Sequence, residues 1–241
     1  MKKHTTVLYI LIFIVIVAAV VYIFAAGPGS APDTVPVILP NTSSGNHDPD
    51  GSGESAPQIV EVNAGNVQAV LRTLTRTEAY SRTICSENFW AGGQSRRNID
   101  VWVSGSSARM DISRSDGSST MHILIVDDEK WLWYSGVYGV FEGAAAAGEA
   151  DRYQSILSYE HILELPKSAI TEAGYTEHLG EMCIYIRYKY GGLGYDNVCY
   201  VSVASGLVMG EESYDGERLV SRISSTAPDL SIPEDSIFEQ P

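Results

Sequence analysis

The sequence predicts an α+β domain built on an antiparallel sheet, carried by one transmembrane helix and a disordered stalk. Three observations predict this. An uncharged apolar run of 20 residues fills positions 7–26. A stretch rich in Pro, Gly and Ser occupies 27–57. Beyond it, segments of period two are separated by tight-turn residues and interrupted by helical zones, an order that lays helices on an antiparallel sheet.

The apolar run reads VLYILIFIVIVAAVVYIFAA. As a helix it is long enough for the hydrocarbon core, which takes about 20 residues. A cleavable signal peptide has a shorter apolar core of ~7–15 residues and a small-x-small site. Ala25-Ala26-Gly27 is a weak cleavage candidate, so the run reads as a retained anchor. Lys2 and Lys3 precede it, and no Lys or Arg follows until Arg72. That bias keeps residues 1–6 as a cytoplasmic stub and sends the domain at 58–241 to the extracytoplasmic side of the cell membrane. No cysteine lies near the end of the run, which excludes a cysteine-linked lipid anchor there.

Six of the ten prolines fall in 27–57, so this stretch reads as a tether that cannot bury enough apolar surface to fold. Asp48-Pro49-Asp50-Gly51 lacks the alternate ligands and closing Glu of a calcium loop.

The formal charge is −14, and the outer domain holds 14 basic and 26 acidic side chains. Such a surface repels phosphate and argues against nucleic acid as a partner. Three cysteines, Cys85, Cys183 and Cys199, are too few for a disulfide scaffold.

The domain opens with a helix expected from Asn63 to about Thr77. Asn63 suits an N-cap, and Val67, Val70, Leu71 and Leu74 make one apolar stripe. The period then becomes two. Alternation runs through Ile99–Ser104, through Ala108, Met110 and Ile112, through Met121, Ile123 and Ile125, and through Lys130–Tyr134. Ser104-Gly105-Ser106, Asp116-Gly117 and Asp127-Asp128-Glu129 mark the turns. A second helical zone is expected at 144–150 and 155–163, closed by Pro166. Strands return at about 169–177, 182–190, 198–203, 207–214 and 219–224. The tail reads as an irregular segment anchored by Ile232 and Phe238.

Val101-Trp102-Val103-Ser104-Gly105 followed by Ala108-Arg109-Met110-Asp111, the strand Asp128-Glu129-Lys130-Trp131-Leu132-Trp133-Tyr134, and Val203-Ala204-Ser205-Gly206-Leu207-Val208 with Glu211 and Tyr214-Asp215-Gly216 after it form a recognisable set. On these motifs the domain resembles the LolA-like superfamily, which includes the N-terminal domain of RseB, as a membrane-anchored bacterial member. The resemblance covers roughly Asn63 to Phe238. It implies a half-open antiparallel β-barrel with a helical lid near 144–165 over an apolar cavity. The implied function is binding of a lipid, acyl chain or lipoprotein segment. The rival reading is an interaction or sensing module, with a membrane protein as partner and no small-molecule ligand. The family's carriers control the lid through a buried arginine, for which Arg82, Arg97 and Arg109 are candidates by type.

Trp102, Trp131 and Trp133 are the expected ligand-binding residues, as an aromatic wall of that cavity. Trp131 and Trp133 must share one face of their strand. Cys183 and Cys199 lie in consecutive strands. A loop centred on Gly191 sets them opposite one another in bridging reach, whereas a tight turn at Gly191–Gly194 leaves them about three residues out of register. Cys85 would then be a spare buried thiol. His122, His161 and His178 form no metal-ligand spacing, and no metal or other cofactor is expected. There is no G-x-S-x-G nucleophile elbow, and the chain does not read as an enzyme.

Overall fold

The computed structural model describes residues 61–117, 119–189 and 191–241. The expected stub (1–6), membrane helix (7–26) and stalk (27–57) lie outside the described residues. Among the described residues no helix is long and apolar enough to cross a membrane.

Short helix α1 (Val67–Leu71) comes first. The Asn63 side chain accepts from Gly65 N–H at 2.9 Å, and its carbonyl accepts from Val67 N–H at 2.9 Å. The expected stripe is present, with Val67, Val70 and Leu71 buried. The helix is much shorter than 63–77, because the chain leaves it through tighter turns, Thr73 N–H to Val70 O and Leu74 N–H to Leu71 O.

Six strands follow: β1 (Ala79–Trp90), β2 (Gly93–Ser104), β3 (Ser107–Arg114), β4 (Thr120–Val126), β5 (Glu129–Tyr134) and β6 (Val140–Ala144). Helices α2 (Glu149–Tyr153) and α3 (Tyr159–Glu164) interrupt. Then come β7 (Ile170–His178), β8 (Glu181–Lys189), β9 (Asp196–Ser202), β10 (Val208–Asp215) and β11 (Arg218–Ser225). All eleven form one unclosed antiparallel sheet, in the order β6-β5-β4-β3-β2-β1-β11-β10-β9-β8-β7. Each half is a meander, and the two halves meet where β1 pairs with β11. Two elements depart from expectation: β1 was not legible as a strand, and β6 takes residues 140–144, just before and into the expected helical zone.

The register assigns the faces. Ile84 pairs with Ile99, Ile99 with Ile112, Met110 with Ile123, and Ile123 with Leu132. These side chains join Val67, Leu71, Ile156, Ile162 and Leu165 in the main core, so this inner face carries the helices. On the outer face Trp102 pairs with Arg109, Arg109 with Leu124, and Leu124 with Trp131. Leu124 and Trp131 are nonetheless buried. The C-terminal tail covers this face: Asp229 bridges Ser81 through two backbone hydrogen bonds, of 2.8 and 2.9 Å. The 3-10 turn Asp235–Phe238 then packs on β3 and β4, and Arg109 donates to Ile237 O at 3.2 Å. Phe238 is half-buried, but Ile232 is 76% exposed and anchors nothing.

The cysteines are free. Cys199 pairs with Ile186 and Cys183 with Ser202. An offset of three positions puts the two thiols on opposite faces of the sheet, since side chains alternate, and no bridge can join them.

Candidate functional site

The inner face carries polar side chains at more than one place: Glu211 meets Tyr188 in the second meander, and a larger cluster surrounds Arg82 beside the helices. β1 directs Tyr80, Arg82, Ile84 and Ser86 inward, because every second residue of a strand shares a face. Arg82 is 6% exposed. It donates to Val208 O at 2.8 Å and to the Gln154 side-chain oxygen at 2.7 Å. Gln154, 1% exposed, follows α2 and also shares hydrogen bonds with the Tyr80 hydroxyl. Burial pushes the Arg82 guanidinium down to about 10, so it is still charged at neutral pH. Its Nε has no partner.

Two ion pairs flank this contact. Arg76 forms a two-pronged bond with Asp151, one prong at 2.8 Å, and this hydrogen bonding raises the Arg76 pKa well above its ordinary value. Lys130 of β5 meets Glu149 at 2.5 Å, which holds the Glu149 carboxyl below its usual range. Gln68 of α1 donates to the carbonyls of Ile162 and Leu165, at 2.9 and 2.8 Å, and so receives the C-terminal end of α3.

The segment 145–165 is thus fastened by polar side chains while its own Ile156, Ile162 and Leu165 fill the space against the sheet. No residue of α2 is fully buried. Beside α2 lies an open cleft of about 340 Å³, lined among others by Tyr80, Val103, Ala108, Ala150, Asp151 and Gln154. A cavity of about 10 Å³ under Arg82, Gln154 and Leu207 has room for about one water. Gly206 brings the β9–β10 turn against this region. Its φ is +67°, and a Cβ there would stand 2.8 Å from Thr75 O and 2.9 Å from Arg76 Cα.

The three tryptophans are not in this wall. Register puts Trp102, Trp131 and Trp133 on the outer face, away from the helices. Trp131 lies buried on the face that the tail covers. Trp102 lines an outer groove of about 240 Å³ beside Asp100 and Asp229. Trp133 stacks on His122, ring centroids 5.1 Å apart, with the Arg109 guanidinium 5.8 Å from its centroid. His122 bridges Asp111 at 2.9 Å and Ser135 Oγ at 2.8 Å. That chain has the order of an acyl-transfer triad, but none of the cavities described above reaches it, and it ties β3 and β4 to the turn after β5. Of the arginine candidates, Arg82 alone reaches the segment 145–165, for Arg97 is exposed and Arg109 lies on the outer face. No group of His, Cys, Asp and Glu suited to a metal ion occurs among the described residues.

No protein-family model matches the chain, and no curated protein matches it. Among solved structures it is similar to MucB, at 12% identity and TM-score 0.44 over 74% of this chain and 62% of that one. It is similar to the Pseudomonas aeruginosa MucA/MucB complex structure, at 13% identity and TM-score 0.42 over 73% of this chain and 59% of that one. A LolA superfamily protein from Nitrosomonas europaea matches at 10% identity and TM-score 0.33, over 74% of this chain and 98% of that one. The chain spans about three-fifths of the length of the MucB structures it matches. These are likenesses of fold, and they include the LolA-like group that the sequence resembles.

Proposed function

We propose that the domain binds a hydrophobic ligand, a lipid, acyl chain or lipoprotein segment, by releasing residues 145–165 from the inner face of a half-open barrel. Residues 7–26 tether it to the membrane, with the domain on the extracytoplasmic side. One observation carries this reading: the segment over the apolar face is held by Arg82–Gln154, Arg76–Asp151 and Lys130–Glu149, with three aliphatic side chains as its plug. Polar fastenings exchange readily with water, whereas the plug can be replaced by another apolar body. Burying an Ile or Leu side chain gains about 1.5–3 kcal/mol, and an entering chain gains about 0.8 kcal/mol per CH₂. A ligand of several methylenes can therefore offset displacement of the plug. The open cleft beside α2 is the entry, and Arg82, whose Nε lacks a partner, is the polar group that a ligand head or carbonyl would meet.

The test uses the full chain in membranes with a diazirine-bearing fatty acid. Photolysis should attach it to inner-face positions such as Val103 and Ala108. Labelling should vanish when a bifunctional thiol reagent with a reducible spacer, joining Arg76→Cys to Asp151→Cys, holds the segment down, and return with reductant. Labelling that ignores the cross-link, or none in the reduced protein, overturns the reading.

A further inference from the structure

The sheet has two free edges, and they are built differently. At one end, β7 carries a register irregularity between Ile170 and Glu172, and exposed Glu172 and Glu177. Bulges and charges are the devices that keep an edge from pairing with another chain. At the other end, β6 reads Val-Phe-Glu-Gly-Ala and pairs with β5 in unbroken register. It holds no Lys, Pro or bulge. Val140 is 48% and Phe141 61% exposed. The turn before it adds Val137 at 63% and Tyr138, fully exposed. Half of the ten exposed large apolar side chains among the described residues fall within 134–141. An apolar edge in unbroken register, with Glu142 as its one charge, is open to strand addition.

The chemistry of the edge selects its occupant. Phe141 pairs with Leu132 and so lies on the inner side, its ring against Gly143, where a Cβ would stand 3.3 Å from the ring. Glu142 pairs with Trp131 and so lies on the outer side. A strand laid along β6 sets one side chain opposite Glu142, and its neighbours over Phe141 and the bare Gly143. Opposite charges facing each other across strands stabilise and like charges destabilise. A second copy of this chain, paired about the middle of β6, would set Glu142 against Glu142 between two domains each with 14 basic and 26 acidic side chains. The residues 27–57 of this chain contain four acidic and no basic side chains, so they fit no better.

We propose that β6 receives one extended segment of a partner polypeptide, in which Lys or Arg alternates with β-branched or aromatic residues, as a twelfth strand of the sheet. Backbone hydrogen bonds supply the affinity, the Glu142 pairing sets the register, and Phe141 with Gly143 takes the apolar side chains. This site is separate from the inner face and holds whether or not that face takes a lipid.

The probe is a fluorescent peptide of roughly eight residues, the span of a strand, alternating Lys and Val, measured by anisotropy on the full chain in detergent micelles. Its Glu–Val counterpart, and a Lys–Val peptide N-methylated on one edge, are the comparisons. The Lys–Val peptide should bind, and N-methylation should weaken it about tenfold, which corresponds to about 1.4 kcal/mol. Glu142→Lys should reverse the preference toward the Glu–Val peptide, and Ala144→Pro, which removes an edge-facing N–H because Ala145 N–H already bonds Asp128 O on the β5 side, should abolish binding of both. Equal binding of the N-methylated peptide, or an unchanged preference in Glu142→Lys, reduces the effect to bulk charge attraction and overturns the proposal. A dimer lost on Ala144→Pro also overturns it, because a second copy would then hold the edge. The fatty-acid labelling should be the same in Ala144→Pro as in the unaltered chain, so either reading can fail alone.

Discussion

The inner and outer faces of this sheet are both covered, but by opposite means. The inner face is closed by a helical segment whose attachments are largely side-chain polar groups, Arg82, Gln154, Arg76, Asp151, Lys130 and Glu149. The outer face is closed by the C-terminal tail, joined through backbone bonds at Asp229 and packed on β3 and β4, on the face where Leu124 and Trp131 are buried. A cover joined to the sheet through backbone pairing is lost with the strand it pairs. A cover fastened by charged pairs at a partly exposed rim can be released while the sheet persists.

The largest test of that contrast is deletion of residues 229–241. It uncovers Leu124 and Trp131, each worth about 1.5–3 kcal/mol when buried. A loss of about 3–6 kcal/mol is expected in urea unfolding, with a red shift of tryptophan emission. A deletion within 1 kcal/mol of the unaltered chain would mean that the tail is the loose cover.

Gln154→Ala comes next. It removes an acceptor from buried Arg82, and leaving such a group unpaired costs about 1–3 kcal/mol. Combining it with Arg82→Met should return most of that stability, since a buried ionic contact exchanged for apolar packing is often neutral. Hydrogen exchange in 145–157 should nevertheless stay fast in the double variant, because the fastening is gone.

Acid should act on the helical segment through Glu149 and, in the tail, on the local Asp229–Ser231 turn, whereas the backbone bonds that join Ser81 and Asp229 do not titrate. The Glu149 carboxyl is held low by Lys130, so its contribution is present above the ordinary carboxylate pKa and is lost as pH falls through its folded value. Protection of 145–157 against hydrogen exchange, taken relative to the intrinsic rate at each pH, should fall toward low pH, and with added salt at neutral pH, ahead of any loss of protection at Ser81 and Asp229. Simultaneous loosening of both would erase the distinction.

The smallest effect is Glu211→Gln. Burial raises the Glu211 carboxyl above its ordinary value, with the Tyr188 hydroxyl donating to it at 3.0 Å. A raised folded pKa is stabilising below the unfolded value, and that contribution is lost as pH rises through the folded one. The variant should therefore gain slightly in midpoint at neutral pH and gain nothing at acid pH.

The antiparallel sheet, the second-half strands and the position of the second helical zone were legible in the sequence because turn residues punctuate them. β1 was not, since its inner positions are Tyr80, Arg82, Ile84 and Ser86, and two polar residues spoil the alternation. The site hangs on that strand, so Arg82 was a candidate by type only. β6 merged with the Ala-rich run behind it. The tryptophans were assigned to the wrong face for a related reason. In β4 both sets, Met121, Ile123 and Ile125 against Leu124 and Val126, are apolar, because each face is covered. Alternation fixed that Trp131 and Trp133 share a face, but not which cover lies over it. The cysteine pair failed on register, which a one-residue change in turn length would shift.

The seam between β1 and β11 has a consequence for the order of events in synthesis. Each strand of the first meander can pair as soon as its neighbour emerges, but β1 has its second partner, Ser221–Ser225, only near the end of the chain. Until then β1 is itself a raw sheet edge, with its row of backbone groups open to other chains. Closing the seam demands a contact between distant parts of the sequence, the kind that slows folding. The centre of the finished sheet is therefore its last-formed joint, and an excess of first-half fragments, or a stall before β11, should lead to aggregation through β1.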